Sequence, residues 1–283
     1  MQTINQLHPL RSAVAALRRD GPVALVPTMG ALHDGHLSLV REAKAHAAHV
    51  AVSIFVNPRQ FGAGEDLAAY PRQLARDTEM LEAEGTAVLW APPVEVMYPV
   101  GFATNIAVSG VSEGLCGAAR PGHFDGVATV VGKLFNQVQP DVALFGEKDW
   151  QQLAVIRRMA RDLDLTQPRA EAILGVATRR EADGLAMSSR NAYLSADERM
   201  QAAILPRAMS HAIAGIVGGK MVSEALAELR RTLLTGGFSA VDYAELRNAD
   251  SLAQLDRLAG TPARLLVAAR IGRTRLIDNM AVC

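Results

Sequence analysis

The run Val23-Ala-Leu-Val-Pro-Thr-Met-Gly-Ala-Leu-His-Asp-Gly-His36 constrains the fold more than any other stretch of the chain. Val23 to Val26 is apolar and is broken by Pro27 and Gly30, the pattern of a short buried strand entering a turn. From Gly35 onward Leu37, Val40 and Ala43 recur at helical spacing, so a helix begins within or just after His33-Asp-Gly-His36. A strand feeding a glycine-containing turn and then a helix places backbone N–H groups and the positive end of a helix dipole where a phosphate is accommodated. His33 and His36, three apart, add donors at the same point. On spacing alone a second account stands beside this one: Pro27 and Gly30 simply turn the chain, and the histidines lie on a solvated first helical turn. A catalytic metal needs about three ligands, and no third is apparent near the two histidines.

The alternation of strand and helix continues. Residues 10–17 read as a helix, and residues 49–56 as a β-branched strand ended by Asn57-Pro58. A helix over 66–84 rests on Leu74, Met80 and Leu81, and residues 86–90 form a strand stopped by Pro92-Pro93. Residues 98–124 are irregular and glycine-rich, with only 104–108 extended. A helix over 127–138, a strand over 141–145, a helix from Trp150 to about Leu163 and a strand over 172–176 complete the pattern. This predicts an α/β domain with a parallel sheet covered on both faces. Ligands in such folds bind outside the carboxyl ends of the strands. That rule gathers residues 28–36, 57–60 and 146–149 at one rim.

The character changes after about Ala177. Ser195-Ala-Asp-Glu198 is a capping box opening a helix that runs towards Ile216, with a bend expected at Pro206. A second helix over 222–234 ends at Gly236-Gly237, and extended segments over 240–246, 265–269 and 275–277 suggest a small antiparallel sheet. The expected domains are therefore 1–178 and 179–283.

Hydrophobic residues make up 49% of the chain and charged ones 20%, enough to bury a sizeable core. Lys plus Arg and Asp plus Glu each total 29, which gives no sign of a broad basic surface for nucleic acid or anionic membrane, so any anion site is built locally. Cys116 and Cys283 are too few and too distant for a disulfide framework or a zinc cluster. The N-terminus has no secretory pattern, and no run approaches the roughly 18 to 20 apolar residues of a membrane span. A soluble cytoplasmic protein is expected.

Pro27-Thr-Met-Gly-Ala-Leu-His-Asp-Gly-His36 resembles the signature of the pantoate–β-alanine ligase family, and His33-Asp-Gly-His36 its form of the His-x-Gly-His element of a wider nucleotidylyltransferase superfamily. Later motifs repeat the resemblance in order, from about residue 20 to the C-terminus. It implies a Rossmann-like N-terminal domain, a smaller α+β C-terminal lid domain and a homodimer. It implies ATP as a substrate, with Mg²⁺ held mainly by the ATP phosphates and no dedicated protein metal site. Pantoate would be adenylated and then joined to β-alanine.

The resemblance also assigns residues. His33, His36, Lys148 and Arg190 are expected to be catalytic. Met29, Gly30, Ala31, Leu32, Asp34 and Gly35 would shape the nucleotide site, with Gly146, Glu147 and Asp149 around Lys148. Arg179, Met187, Ser188 and Ser189 would join Arg190 in a loop that closes over the phosphates. As residue types, a lysine at a helix entrance and two hydroxyls before a guanidinium suit an anion, yet each also fits a plain surface turn. Gln60 and Gln152 would hold pantoate, and Gln60 also β-alanine; taken alone, Gln60 reads better as a loop residue. Arg120 and His123 line a mobile wall without assigned chemistry, and Asp77 is a solvated helix-face carboxylate or an outer partner of Mg²⁺. Two other functions remain: a nucleotidylyltransferase that stops at a nucleotide-linked product, and a non-catalytic ATP-binding module.

Overall fold

The computed structural model describes residues 1–258 and 260–282, so Cys283 lies outside the described residues. Two compact units divide the chain: Met1–Glu147 with Gln152–Ala177, and Lys148–Gln151 with the chain from Thr178 onward.

The first unit carries strands β1 (Gln2–Ile4), β2 (Val23–Thr28), β3 (His49–Ile54), β4 (Val88–Trp90), β5 (Val142–Gly146) and β6 (Ile173–Val176). They form one sheet in the order β1-β4-β3-β2-β5-β6, every neighbouring pair parallel. Its helices are α1 (Leu7–Leu17), α2 (Asp34–His46), α3 (Leu74–Ala83), α4 (Val94–Met97), α5 (Leu115–Ala119), α6 (His123–Val138) and most of α7 (Trp150–Asp162). Ala24 and Val26 pack with Leu39, Val40 and Ala43 of α2, while Val23 and Leu25 are buried on the opposite face of β2. From β2 the chain builds outward through β3 and β4, then returns to place β5 on the other side of β2. The order therefore reverses between β2 and β5, the position where open α/β sheets bind ligands.

Several boundaries differ from the sequence expectation for local reasons. Strand β2 continues through Pro27 to Thr28, because β5 pairs only with Ala24 and Leu25 and demands no N–H from Pro27. Helix α3 begins at Leu74, directly after Gln73, whose φ of −132° and ψ of 46° lie outside the helical region; Leu74 itself is exposed. Residues 104–108 form no strand, and Ile106 N–H is instead taken by Thr129 Oγ1 at 2.9 Å. Strand β1, unforeseen, pairs with β4.

In the second unit β7 (Ala240–Asn248), β8 (Ala263–Ile271) and β9 (Thr274–Val282) form an antiparallel sheet with a bulge between Val241 and Tyr243. Helices α8 (Ala196–Ala202), α9 (Ile204–Val217) and α10 (Val222–Thr235) pack on it through Leu205, Met209, Leu229, Leu233, Leu246 and Val267. The expected bend is a break at Ala203, because Pro206 lacks an N–H and its ring meets the carbonyl of Ala202. The Ser195/Glu198 capping box is present. The architecture is a Rossmann-like α/β domain followed by a smaller α+β domain. Among the described residues, no helix is long and apolar enough to cross a membrane.

Candidate active site

At the carboxyl end of β2 the chain turns sharply. Gly30 has φ +84°, and a Cβ there would lie 3.0 Å from Asp77 Oδ2 and 3.1 Å from Ile54 Cγ2, so only glycine fits. Ala31 follows with φ +50°. Asp77, 1% exposed on α3, stabilises this conformation by accepting Ala31 N–H at 2.8 Å and Leu32 N–H at 2.9 Å. The solvated or magnesium-linked role expected for Asp77 is thus replaced by a buried backbone anchor. Gly30 N–H goes to Thr28 Oγ1 at 3.3 Å, and His33 N–H to His36 Nδ1 at 3.3 Å. The backbone N–H groups of residues 30–33 are thus bonded to Thr28, Asp77 and His36.

The three-residue spacing of the histidines has a direct consequence. His33 precedes the first turn of α2 in an extended conformation, and its carbonyl accepts His36 N–H at 2.8 Å and Leu37 N–H at 3.2 Å. The helix brings the His36 ring back over the start, with the two imidazole centroids 4.0 Å apart. Because His36 Nδ1 accepts a hydrogen bond it carries no proton, and the ring proton sits on Nε2. Asp34 does not turn its carboxylate to this group; it pairs with Arg41 at 2.7 Å.

Gln60 ends the one-turn helix Pro58–Gln60 after β3 and is 9% exposed. Asn57 Nδ2 donates to Gln60 Oε1 at 3.1 Å and to Gly126 O at 3.0 Å, which fixes the Gln60 amide so that Nε2 faces Met29 Sδ at 3.0 Å. Tyr98 donates its hydroxyl to Asn57 Oδ1 at 2.8 Å, and burial pushes that phenol up to about 12, so it stays a donor at neutral pH. Gly126 of α6 admits no side chain, since a Cβ would lie 2.3 Å from Arg59 O. Arg120 and His123 are not simply lining: His123 Nδ1 lies 2.9 Å and Arg120 Nη2 3.2 Å from Gln60 O. Arg120 also grips Glu65 through two bonds of 2.7 and 2.6 Å and holds that carboxyl below its ordinary range.

Beyond β5, which ends at Gly146, Glu147–Asp149 is a single 3₁₀ turn leading into α7. Lys148 is 19% exposed by its side chain and lies 3.8 Å from Asp149. Its carbonyl accepts Asn279 Nδ2 at 2.9 Å. Trp150 Nε1 donates to Ala249 O at 2.8 Å, and the Arg264 guanidinium lies 3.4 Å over the indole. Residues 187–190 follow a tight reversal in which Arg180 bridges Ala186 and Arg179 O accepts Met187 N–H at 2.9 Å; Arg179 itself is exposed. Ser188 Oγ accepts Arg190 N–H at 3.3 Å and caps the 3₁₀ helix Ser189–Tyr193. The first unit thus assembles Met29, His33, His36 and Gln60 and also contains Glu147 and Gln152; the second contains Lys148, Asp149, Ser188, Ser189 and Arg190. Among the described residues, no group of three or more His, Cys, Asp or Glu side chains is placed to hold a metal ion.

Comparison with known proteins matches the Pantoate-beta-alanine ligase family over residues 2–281. The chain belongs to the pantoate–β-alanine ligase family. It is 68% identical to the pantothenate synthetase of Novosphingobium aromaticivorans, covering 100% of this chain and 99% of the relative. The solved pantothenate synthetase of Thermus thermophilus superposes with a TM-score of 0.91 at 47% identity, covering 100% of this chain and 99% of that one. The ligase of Francisella tularensis, solved with β,γ-ATP and β-alanine, gives a TM-score of 0.83 at 32% identity, covering 99% and 97%.

For this ligase, sequence reasoning missed the roles of the residues that orient the candidate side chains. Asn57 had a visible signal, an asparagine directly before a proline that opens a helical turn. Tyr98, Asp77, Asp278 and Asn279 had none, since each acts on a segment far away in sequence.

Proposed function

We propose that this protein catalyses the ATP-dependent condensation of (R)-pantoate with β-alanine to pantothenate, through pantoyl adenylate, releasing AMP and pyrophosphate. The observation that carries the reading is the family match across residues 2–281. The pantoate carboxylate attacks the α-phosphorus of ATP and pyrophosphate leaves. The β-alanine amine then attacks the acyl carbon and AMP leaves. A free carboxylate is a poor acyl donor because oxide would have to depart, and adenylation replaces it with a good leaving group.

Residue roles belong to the same proposal. His36, with its proton on Nε2, and His33 donate hydrogen bonds as charge grows on the α-phosphate oxygens, the kind of preorganised stabilisation that dominates many transfers. Lys148, Ser188, Ser189 and Arg190 engage the phosphate chain, while Gln60 and Gln152 hold pantoate. The buried amide of Gln60, oriented by Asn57, supports that reading. The nucleotide site is completed by Met29, Gly30, Ala31, Leu32, Asp34, Gly35, Gly146, Glu147, Asp149, Arg179 and Met187. The role proposed for residues 179–283 is that of a lid, and the assembly that of a cytoplasmic homodimer. Asp34 and Asp77 are committed to Arg41 and to backbone N–H groups, a donor set that fits Mg²⁺ carried by ATP phosphates. When bound, that ion neutralises phosphate charge.

The test is exchange of labelled pyrophosphate into ATP with pantoate present and β-alanine absent, followed by release of AMP when β-alanine is added. An ATP-binding module would show no exchange, and a nucleotidylyltransferase would keep AMP on its product. Formation of ADP and phosphate, or exchange that requires β-alanine, would refute the ligase chemistry.

A further inference from the structure

Two adjacent residues of β9, Asp278 and Asn279, are 2% and 3% exposed, and nothing in the reaction chemistry calls for them. Successive side chains leave a strand on opposite faces, so one strand can serve two segments. Asn279 Nδ2 donates to the main-chain carbonyl of Lys148 at 2.9 Å. The orientation of its amide is dictated by Arg264, which bonds Asn279 Oδ1. A guanidinium has no acceptor, so the amide oxygen must face it and the NH₂ must face Lys148. Arg264 is in turn fixed by stacking on Trp150, two residues beyond that lysine.

Asp278 serves the other segment. It takes a two-pronged contact from Arg180, with Nη1 at 2.7 Å and Nη2 at 2.9 Å, and its side chain is wholly buried. Arg180 also donates to Gly184 O at 3.0 Å and bridges Ala186, while Met187 N–H is held by Arg179 O. The reversal that carries Ser188, Ser189 and Arg190 is therefore tied to Asp278. Asp278 Oδ1 further accepts Asn279 N–H at 2.7 Å, which joins the two anchors at the backbone.

We propose that Asp278 and Asn279 are paired positioning residues that hold the Lys148 turn and the 187–190 loop in one fixed relation, so that both meet the same polyphosphate. This rests on the assignment of Lys148 and Arg190 to the phosphate chain. Asn279→Ala in the full-length protein should raise KM for ATP about five- to tenfold, the size of one lost hydrogen bond, and lower pantoate-dependent pyrophosphate exchange. The rate from preformed pantoyl adenylate and β-alanine, a step without pyrophosphate, should not change. Asn279→Asp, which keeps the size but turns an acceptor towards the Lys148 carbonyl, should be at least as damaging. Arg180→Lys keeps the charge, loses the fork, and should give a smaller defect of the same kind; it also tests the Asp278 arm without emptying a buried carboxylate site.

Equal loss in both half-reactions, tracking the folded fraction, would overturn the proposal, as would normal ATP dependence in Asn279→Asp. Lys148→Ala separates the two levels. If it leaves ATP dependence intact, the site assignment falls and this proposal with it. If it is damaged while Asn279→Ala and Arg180→Lys behave as wild type, only the positioning role is lost.

Discussion

The turns after β2 and β5 look alike in sequence, each a strand, a short turn with charged or aromatic donors, and a helix. Their anchoring is opposite. The β2 turn is pinned through its N–H groups by an acceptor, the Asp77 carboxylate, 46 residues away from Ala31. The turn after β5 is pinned through a carbonyl by a donor, the Asn279 amide, 131 residues away from Lys148. The first turn stays with its strand in one unit, whereas the chain changes unit between Glu147 and Lys148. The difference bears on where each turn is proposed to find its charge stabilisation. With the N–H groups of residues 30–33 bonded to Thr28, Asp77 and His36, the donors proposed for the β2 turn are its imidazoles. The donor proposed for the turn after β5 is a lysine whose backbone is tied to β9.

The sharpest way to break this comparison is to remove an imidazole. His36→Ala should lower adenylation by roughly 100- to 1,000-fold, the scale for one preorganised donor, measured as the pyrophosphate exchange rate. Near-normal turnover in a folded variant would mean that the β2 turn works through its backbone after all.

Removing the acceptor comes next. Asp77→Asn places an amide where a carboxylate accepts two N–H groups, so it should cost about 1–3 kcal/mol of stability. Adenylation should fall by up to about 100-fold through misplacement of the histidines. Denaturant melts together with exchange rates check both. A loss of stability with full catalysis would show that Asp77 supports the fold but not the geometry of the turn.

Gln60 sharpens the comparison within the first unit. Gln60→Ala should raise KM for pantoate about tenfold, on the scale of a buried hydrogen bond, and change that for ATP little. An effect confined to ATP would remove Gln60 from the acid subsite.

The smallest effect concerns the grip on the Gln60 carbonyl. Arg120 holds the Glu65 carboxyl below its ordinary range, so the folded value lies under the unfolded one. The stabilisation is then fully present above the unfolded value, near pH 4.3 on the usual scale, and is lost as pH falls through the folded value. Glu65→Gln should cost about 1 kcal/mol at neutral pH, a difference that shrinks on acidification below that window. A wild-type-to-variant gap independent of pH would show that the Arg120 contact is not ionic.

The strand–helix alternation was legible because each element is local. Apolar runs such as residues 23–26, and helical recurrences such as Leu37, Val40 and Ala43, carry their own period. The second unit's capping box and the glycine stops after α9 and α10 were equally local signals. Boundaries failed where a neighbour decided them. Pro27 is tolerated in β2 because β5 leaves that position unpaired, and Pro206 breaks a helix that the apolar pattern alone carries through. The candidate side chains were legible as residue types in a motif, whereas their orientation was not.

The sequence by itself determined the α/β order, the three rim segments after β2, β3 and β5, and the family. Those follow from nearest-neighbour periodicity and from motifs contiguous along the chain. Only the tertiary structure decided that Asp77 takes the N–H groups of Ala31 and Leu32, and that Asn57 and Tyr98 set the Gln60 amide. Only it decided, too, that Asp278 and Asn279 share one strand between two loops. The reason is that a buried polar group must find a partner wherever folding brings one. Asn57 apart, the partners here lie from 41 to 131 residues away, a relation that no spacing along the chain encodes.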